Sequence, residues 1–186
     1  MIKTKKKNII FSNKYIELQN NNVVDINTNN EFDHIKLIEN NSNYPGSVIL
    51  CKHNNKFLLL ENYRYGINDI SIELPRGYRD KHEPLEECAI RELKEETNII
   101  FDFNIDRIQK LGEIAVNSAI LESKVALFLI EINQPINNLQ IQSYEHISSC
   151  YWLDLNTIND YILEGKIIDS FTINTLMFFH LRSNCL

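Results

Sequence analysis

Residues 9–39 hold four stretches of β-type character, NIIFS (9–13), KYIELQ (14–19), VVDINT (23–28) and EFDHIKLIE (31–39). Several of them alternate apolar and polar side chains with a period close to two, the mark of half-buried strands. Asn-rich breaks, NNN at 20–22 and NTNN at 27–30, supply turns between them, because Asn tolerates left-handed backbone and bonds its own main chain. ENNSNYPG (39–46) reads as a linker, which divides the chain into a β-rich segment 1–45 and a larger segment 46–186. Two apolar runs follow, SVILCK (47–52) and KFLLLENY (56–63), joined by HNN as a hairpin, and then a short strand ISIELP (70–75) ended by Pro75. RIQKLGEIAV (107–116), ESKVALFLIEI (122–132) and ISSCYWLDL (147–155) are strand-like, and NTINDYILEG (156–165) and DSFTINTLMFFHLR (169–182) are helical. Gly165 stands where a helix C-cap is expected, and Ser170 and Thr172 are candidate N-caps for the last helix.

Between these strands the period changes from two to 3.6. The run 85–97 has no breaker, and Pro84 suits a first helical position. Ala89, Ile90 and Leu93 gather on one flank and face the core. Glu92, Glu95 and Glu96 share a neighbouring arc about 100° wide, with Arg91 four residues before Glu95. Like charges at such spacing destabilise a helix by a few tenths of a kcal/mol per pair, so either the face is simply solvated or a cation belongs there. Converging hard oxygens suit Mg²⁺, which takes few protein carboxylates and completes its shell with water and substrate phosphates. Strands, a central helix, more strands and terminal helices predict an α/β fold, a mixed sheet with helices on its faces.

Composition narrows the function classes. A chain of 186 residues with 44% hydrophobic and 24% charged residues is an ordinary globular domain with at most a small appendage. The net charge of −6 argues against a nucleic-acid binder. The one basic cluster, Lys3 with Lys5 to Lys7, reads as a frayed, solubilising tail. The longest apolar run, VALFLI (125–130), is far below the roughly 20 residues a membrane span needs, so no membrane partner is expected and the location is expected to be cytoplasmic. Cys51, Cys88, Cys150 and Cys185 lack CxxC spacing and read as reduced, structural residues. His34, His53, His82, His146 and His180 show no ligand spacing.

Gly77, Glu83, Arg91, Glu92, Leu93, Glu95, Glu96 and Ile99 fit the pattern G-x5-E-x7-R-E-U-x-E-E-x-G-U, with U aliphatic, and so resemble the Nudix box. At ordinary residue usage such a match arises by chance with odds of about 10⁻⁸ per start position. One position departs: Asn98 stands where the box has glycine, and Asn is the second choice for a helix end with positive φ. Beyond the box, ENYRYGINDISIELPRG (61–77), LGEIAVNSAILESKVALFLIEI (111–132) and EHISSCYWLDLNTINDYILEGKIIDSFTINTLMFF (145–179) are similar to segments of ADP-ribose and ADP-sugar pyrophosphatases. Those relatives usually carry Ala between Pro and Gly, where this chain has Arg76.

The resemblance implies an α/β/α sandwich with a mixed sheet, residues 46–186, preceded by a small β-subdomain, residues 1–45, used in dimerisation. It implies hydrolysis of a nucleoside diphosphate linked to another moiety, with ADP-ribose or a related ADP compound as substrate. Mg²⁺, or Mn²⁺ in its place, would be held by Glu92, Glu95, Glu96 and the Arg76 carbonyl. Arg64, Arg76 and Tyr63 are candidates for substrate binding, and Gly77, Glu83, Arg91 and Asn98 for structural roles within the motif. Glu95 is also a catalytic candidate. The general base is assigned to Glu145 in the loop before the strand at 147, with Glu122 second and His146 third. Two alternatives stay open: a nucleotide-sensing module that does not hydrolyse, or a hydrolase of NADH, dinucleoside polyphosphates or nucleoside triphosphates.

Overall fold

The computed structural model describes residues 1–39, 44–136, 139 and 147–183. The chain forms two compact units, one of residues Met1–Pro45 with Ala115–Val125 and one of Gly46–Ile114 with Ala126–Leu186.

The first unit is a four-stranded antiparallel sheet. β1 (Ile2–Lys6) and β2 (Ile9–Ser12) pair with successive stretches of one edge of the long central strand β3 (Ile16–Asp25), and β4 (Glu31–Glu39) pairs along its other edge. Two expectations fail here. The lysine-rich N-terminus is not a frayed tail: β1 pairs with β3 in register Ile2 with Asp25, and Lys5 meets Glu31 at 2.5 Å. Nor do Asn20, Asn21 and Asn22 make a turn, because they lie inside β3. Asn21 is buried, yet its oxygen accepts the Asn8 N–H (3.0 Å) and its amide donates to Gln19 (2.7 Å), so its polar groups are satisfied within the sheet. The turn expected at 27–30 does form, between β3 and β4, with Asn29 left-handed at φ 57°. From the later chain, Leu37 N–H donates to Ile120 O and Glu122 N–H to Leu37 O, which ties residues 115–125 to this unit. Residues 40–43 of the expected linker lie outside the described residues.

The second unit carries a seven-stranded mixed sheet, β11–β6–β5–β10–β9, with β7 added on β6 and β8 on β5. Its strands are β5 (Gly46–His53), β6 (Lys56–Arg64), β7 (Asp69–Glu73), β8 (Arg76–Tyr78), β9 (Arg107–Ile114), β10 (Val125–Glu131) and β11 (Ile147–Asp154). β5 and β10 run parallel, and the β5–β6 hairpin turns through Asn54 and Asn55, both left-handed as a tight hairpin requires. Its helices are α1 (Leu85–Thr97), α2 (Leu155–Leu163) and α3 (Ser170–Ser183).

The helices cover both faces. Ala89 and Leu93 of α1 pack on Ile49, Cys51, Leu58, Ala126, Phe128 and Ile130, with Ile90 at the edge of that cluster. On the opposite face Phe57, which precedes Leu58 and so points the other way, meets Phe179 of α3 with ring centroids 5.3 Å apart. Asp154 caps α2 by accepting the Thr157 N–H, and Gly165 at φ 72° closes its end. The cap of α3 is Asp169, not Ser170 or Thr172: its carboxylate accepts the Thr172 N–H (2.9 Å) and hydroxyl (2.8 Å). Pro84 sits at the N-cap of α1, one residue before the predicted position. No helix among the described residues is long and apolar enough to cross a membrane.

Candidate active site

The seam between β8 and α1 gathers the polar residues of the motif. Burial of Ala89 and Leu93 rolls the helix so that Glu92 and Glu96, one turn apart, face the 75–78 backbone. Both are buried, at 9% and 3% exposure, while Glu95 stays more open. Glu96 Oε2 accepts the Arg76 N–H at 3.0 Å. Glu92 lies against Gly77 so closely that a Cβ built there would meet its carboxylate carbon at 1.9 Å. Glycine is required for this approach, not for its φ.

Arg91 is the local positive charge. Its guanidinium donates to both oxygens of Glu83 (2.8 and 2.9 Å), to Glu92 (2.7 Å), to Glu95 (3.1 Å) and to the Tyr78 carbonyl (2.8 Å). The Glu83 bonds outweigh burial, which acts the other way, so the guanidinium is held above its ordinary range. Arg91 in turn keeps the Glu83 carboxyl below the usual carboxylate value. Glu83 also accepts the Asp80 N–H (2.9 Å), which ties the loop before the helix to the same cluster. Burial pushes the neighbouring Cys88 thiol up to about 11, so it stays neutral and is a poor nucleophile or ligand. Asn98 ends α1 at φ 60°, with its N–H bonded to Lys94 O.

Among the described residues, no three His, Cys, Asp or Glu side chains are arranged to hold a metal ion. Glu92 and Glu95 turn toward Arg91, which supplies the cation that converging carboxylates need. The donor set nevertheless fits Mg²⁺: three carboxylates on one strip, two of them buried, with Glu92 brought against the 77 backbone by the absence of a side chain there. Mg²⁺ needs only one or two protein carboxylates when substrate phosphates complete its shell.

The other candidates lie as follows. Arg64, at the end of β6, pairs with Glu73. Burial, the largest single influence, works against its charge, but the Glu73 bonds together with the charges of Glu73, Glu96 and Asp169 hold the guanidinium above its ordinary range. The Arg76 side chain bonds Glu73 (3.1 Å) and Asp169 (2.9 Å). Tyr63 is exposed, its hydroxyl donating to Asn68. Glu122 belongs to the first unit and pairs with Lys36 at 2.8 Å. Glu145 and His146 lie outside the described residues. Sequence reasoning missed Glu73 and Asp169, and the signal for them was the arginine at a position where the resembling families have alanine.

The chain matches the family model described as NUDIX domain over residues 44–171 and belongs to that family. It is therefore a Nudix hydrolase, with a fold like that of an ADP compounds hydrolase. It is similar to the methanol dehydrogenase activator of Bacillus methanolicus, 25% identical over 183 residues that span 97% of this chain and 93% of that protein. Among solved structures it resembles an ADP compounds hydrolase, with a TM-score of 0.77 at 14% identity over 96% of this chain and 92% of the other.

Proposed function

We propose that the protein hydrolyses the pyrophosphate bond of ADP-ribose or a related ADP compound, giving AMP and a sugar phosphate, in a Mg²⁺-dependent reaction. The observation that carries this reading is the box with all of its carboxylates present, Glu92 and Glu96 of α1 being buried against the 76–77 backbone. The fold likeness to an ADP compounds hydrolase supports the substrate class.

Glu92, Glu95, Glu96 and the Arg76 carbonyl would hold the metal, which supplies neutralisation of phosphate charge and a more acidic water. Arg91 fixes Glu92 and Glu95 before substrate arrives, and Glu83 fixes Arg91. Arg64 and Tyr63, at the end of β6, offer a cation and a ring to the substrate. Glu145 takes the proton of the attacking water, with Glu122 as the competing base.

Residues 1–45 serve dimerisation, and residues 46–186 the chemistry. The first unit leaves Ile9, Ile10, Phe11, Phe32 and Ile35 exposed, more apolar surface than an isolated small sheet tolerates. Sedimentation at micromolar concentration is expected to give a homodimer.

A second reading has one observation on its side. The relative from Bacillus methanolicus, matched over nearly its whole length, is named an activator, which would suit a nucleotide-sensing module. A panel of ADP-ribose, NADH, dinucleoside polyphosphates and nucleoside triphosphates, assayed with Mg²⁺ by phosphate release after phosphatase treatment, separates the two. The proposed enzyme prefers ADP-ribose, whereas nucleotide binding without turnover would favour the sensor.

A further inference from the structure

We propose that the Arg76 side chain is a positioning residue for the Glu96 carboxylate, acting through its own backbone N–H. Arg76 points two ways at once. Its N–H donates to Glu96 of α1 at 3.0 Å, while its guanidinium reaches toward α3. There Nη2 donates to Glu73 (3.1 Å), Nη1 to Asp169 (2.9 Å), and the fork lies 4.4 Å over the Phe171 ring. A planar fork of fixed donors can hold two carboxylates and stack on a ring together, which neither alanine nor a point-charge ammonium can do.

Both carboxylates are themselves fixed. Glu73 is 1% exposed and shared with Arg64. Asp169 uses its second oxygen to cap α3 through Thr172, and the Thr172 hydroxyl accepts the Leu74 N–H at 3.0 Å. Pro75 O accepts the Ile49 N–H (2.9 Å). The 73–77 backbone is thus held at successive residues, and Arg76 is where the α3 side of that hold is transmitted to the α1 side. A turn of this backbone would move the Arg76 N–H away from Glu96 and Gly77 against Glu92. Partners behind a metal ligand typically contribute 10- to 100-fold in metal affinity.

The inference rests on the metal reading above, so its test reads Mn²⁺ binding alone, without nucleotide. The free ion is followed by electron paramagnetic resonance for the parent, Arg76→Ala, Asp169→Asn and Phe57→Leu. Asp169→Asn keeps the α3 cap, since Asn accepts the same Thr172 bonds, and so it decides the matter if Arg76→Ala fails to fold. Phe57→Leu loosens the Phe179 contact on the far face and controls for lost stability. The expected result is about 10-fold weaker Mn²⁺ binding in Arg76→Ala and Asp169→Asn, with Phe57→Leu at the parent value. Parent-like affinity in Asp169→Asn, or an equal loss in Phe57→Leu, overturns the positioning role. A parent chain that binds no Mn²⁺ instead overturns the metal reading, and this inference with it.

Discussion

Replacing Gly77 with alanine tests whether the placement of Glu92, as distinct from its mere presence, matters. The new Cβ would stand 1.9 Å from the Glu92 carboxylate carbon and 2.0 and 2.3 Å from its oxygens. Ordinary contact begins near 3.4 Å, so the carboxylate must retreat by about 1.5 Å, the difference of 3.4 and 1.9. It is the far end of a flexible side chain, and it can move without unfolding the strand. The retreat breaks the 2.7 Å bond from Arg91. That bond is charge-assisted but about a quarter exposed on the arginine side, and Arg91 keeps Glu83, so the loss is about 1–2 kcal/mol. For a chain of this size that lowers Tm by roughly 3–6 °C. A misplacement of about 1 Å at a site of this kind can cost on the order of 10²-fold in kcat. Gly77→Ala should therefore remain folded at 25 °C by circular dichroism while losing most of its turnover. Turnover within about threefold of the parent would show that Glu92 does not have to sit where it does.

Three further outcomes are expected. Glu83 is held below its ordinary value of 4.5 by Arg91, so its contribution to stability is full above about pH 4.5 and fades as pH falls through the folded value. Glu83→Gln should lose about 1–2 kcal/mol at pH 7 and show a shallower acid limb in urea titrations at pH 3–5, and an unchanged limb would sink the assignment. Asn98→Gly relieves a left-handed asparagine but adds freedom to the unfolded chain, so a net gain of about 0.5 kcal/mol should appear as a small rise in Tm, where a fall would contradict it. Glu145→Gln should lower kcat on the order of 10²-fold with Mg²⁺ binding intact. If it turns over at the parent rate while Glu122→Gln does not, Glu122 is the base.

The helix of the site was legible in the sequence because its period, its motif and its core flank agree: Ala89 and Leu93 had to be buried, and that fixes where Glu92 and Glu96 point. The pairing of Arg91 with Glu95 followed from i,i+4 spacing. What was not legible depended on distant residues. Asn20 to Asn22 read as a turn, but strand partners on both sides of β3 override Asn's local preference and satisfy Asn21 inside the sheet. The lysines of β1 read as a solvated tail because their pairing with β3 bridges some twenty residues of chain. Asp169 caps α3 and meets Arg76 across 93 residues, a contact no local pattern encodes. The carboxylate strip itself was legible, but not that Arg91 would also draw Glu92 toward itself.

The central claim, a metal-dependent pyrophosphohydrolase of ADP compounds, is tested most directly by following AMP release from ADP-ribose by the parent and Glu96→Gln, with Mg²⁺, with excess EDTA, and with Mg²⁺ or Mn²⁺ added back. Turnover is expected with Mg²⁺, none in EDTA, recovery on adding either ion, and a Glu96→Gln rate lower on the order of 10²-fold. AMP release that continues undiminished in excess chelator, or at the parent rate in Glu96→Gln, would contradict the claim.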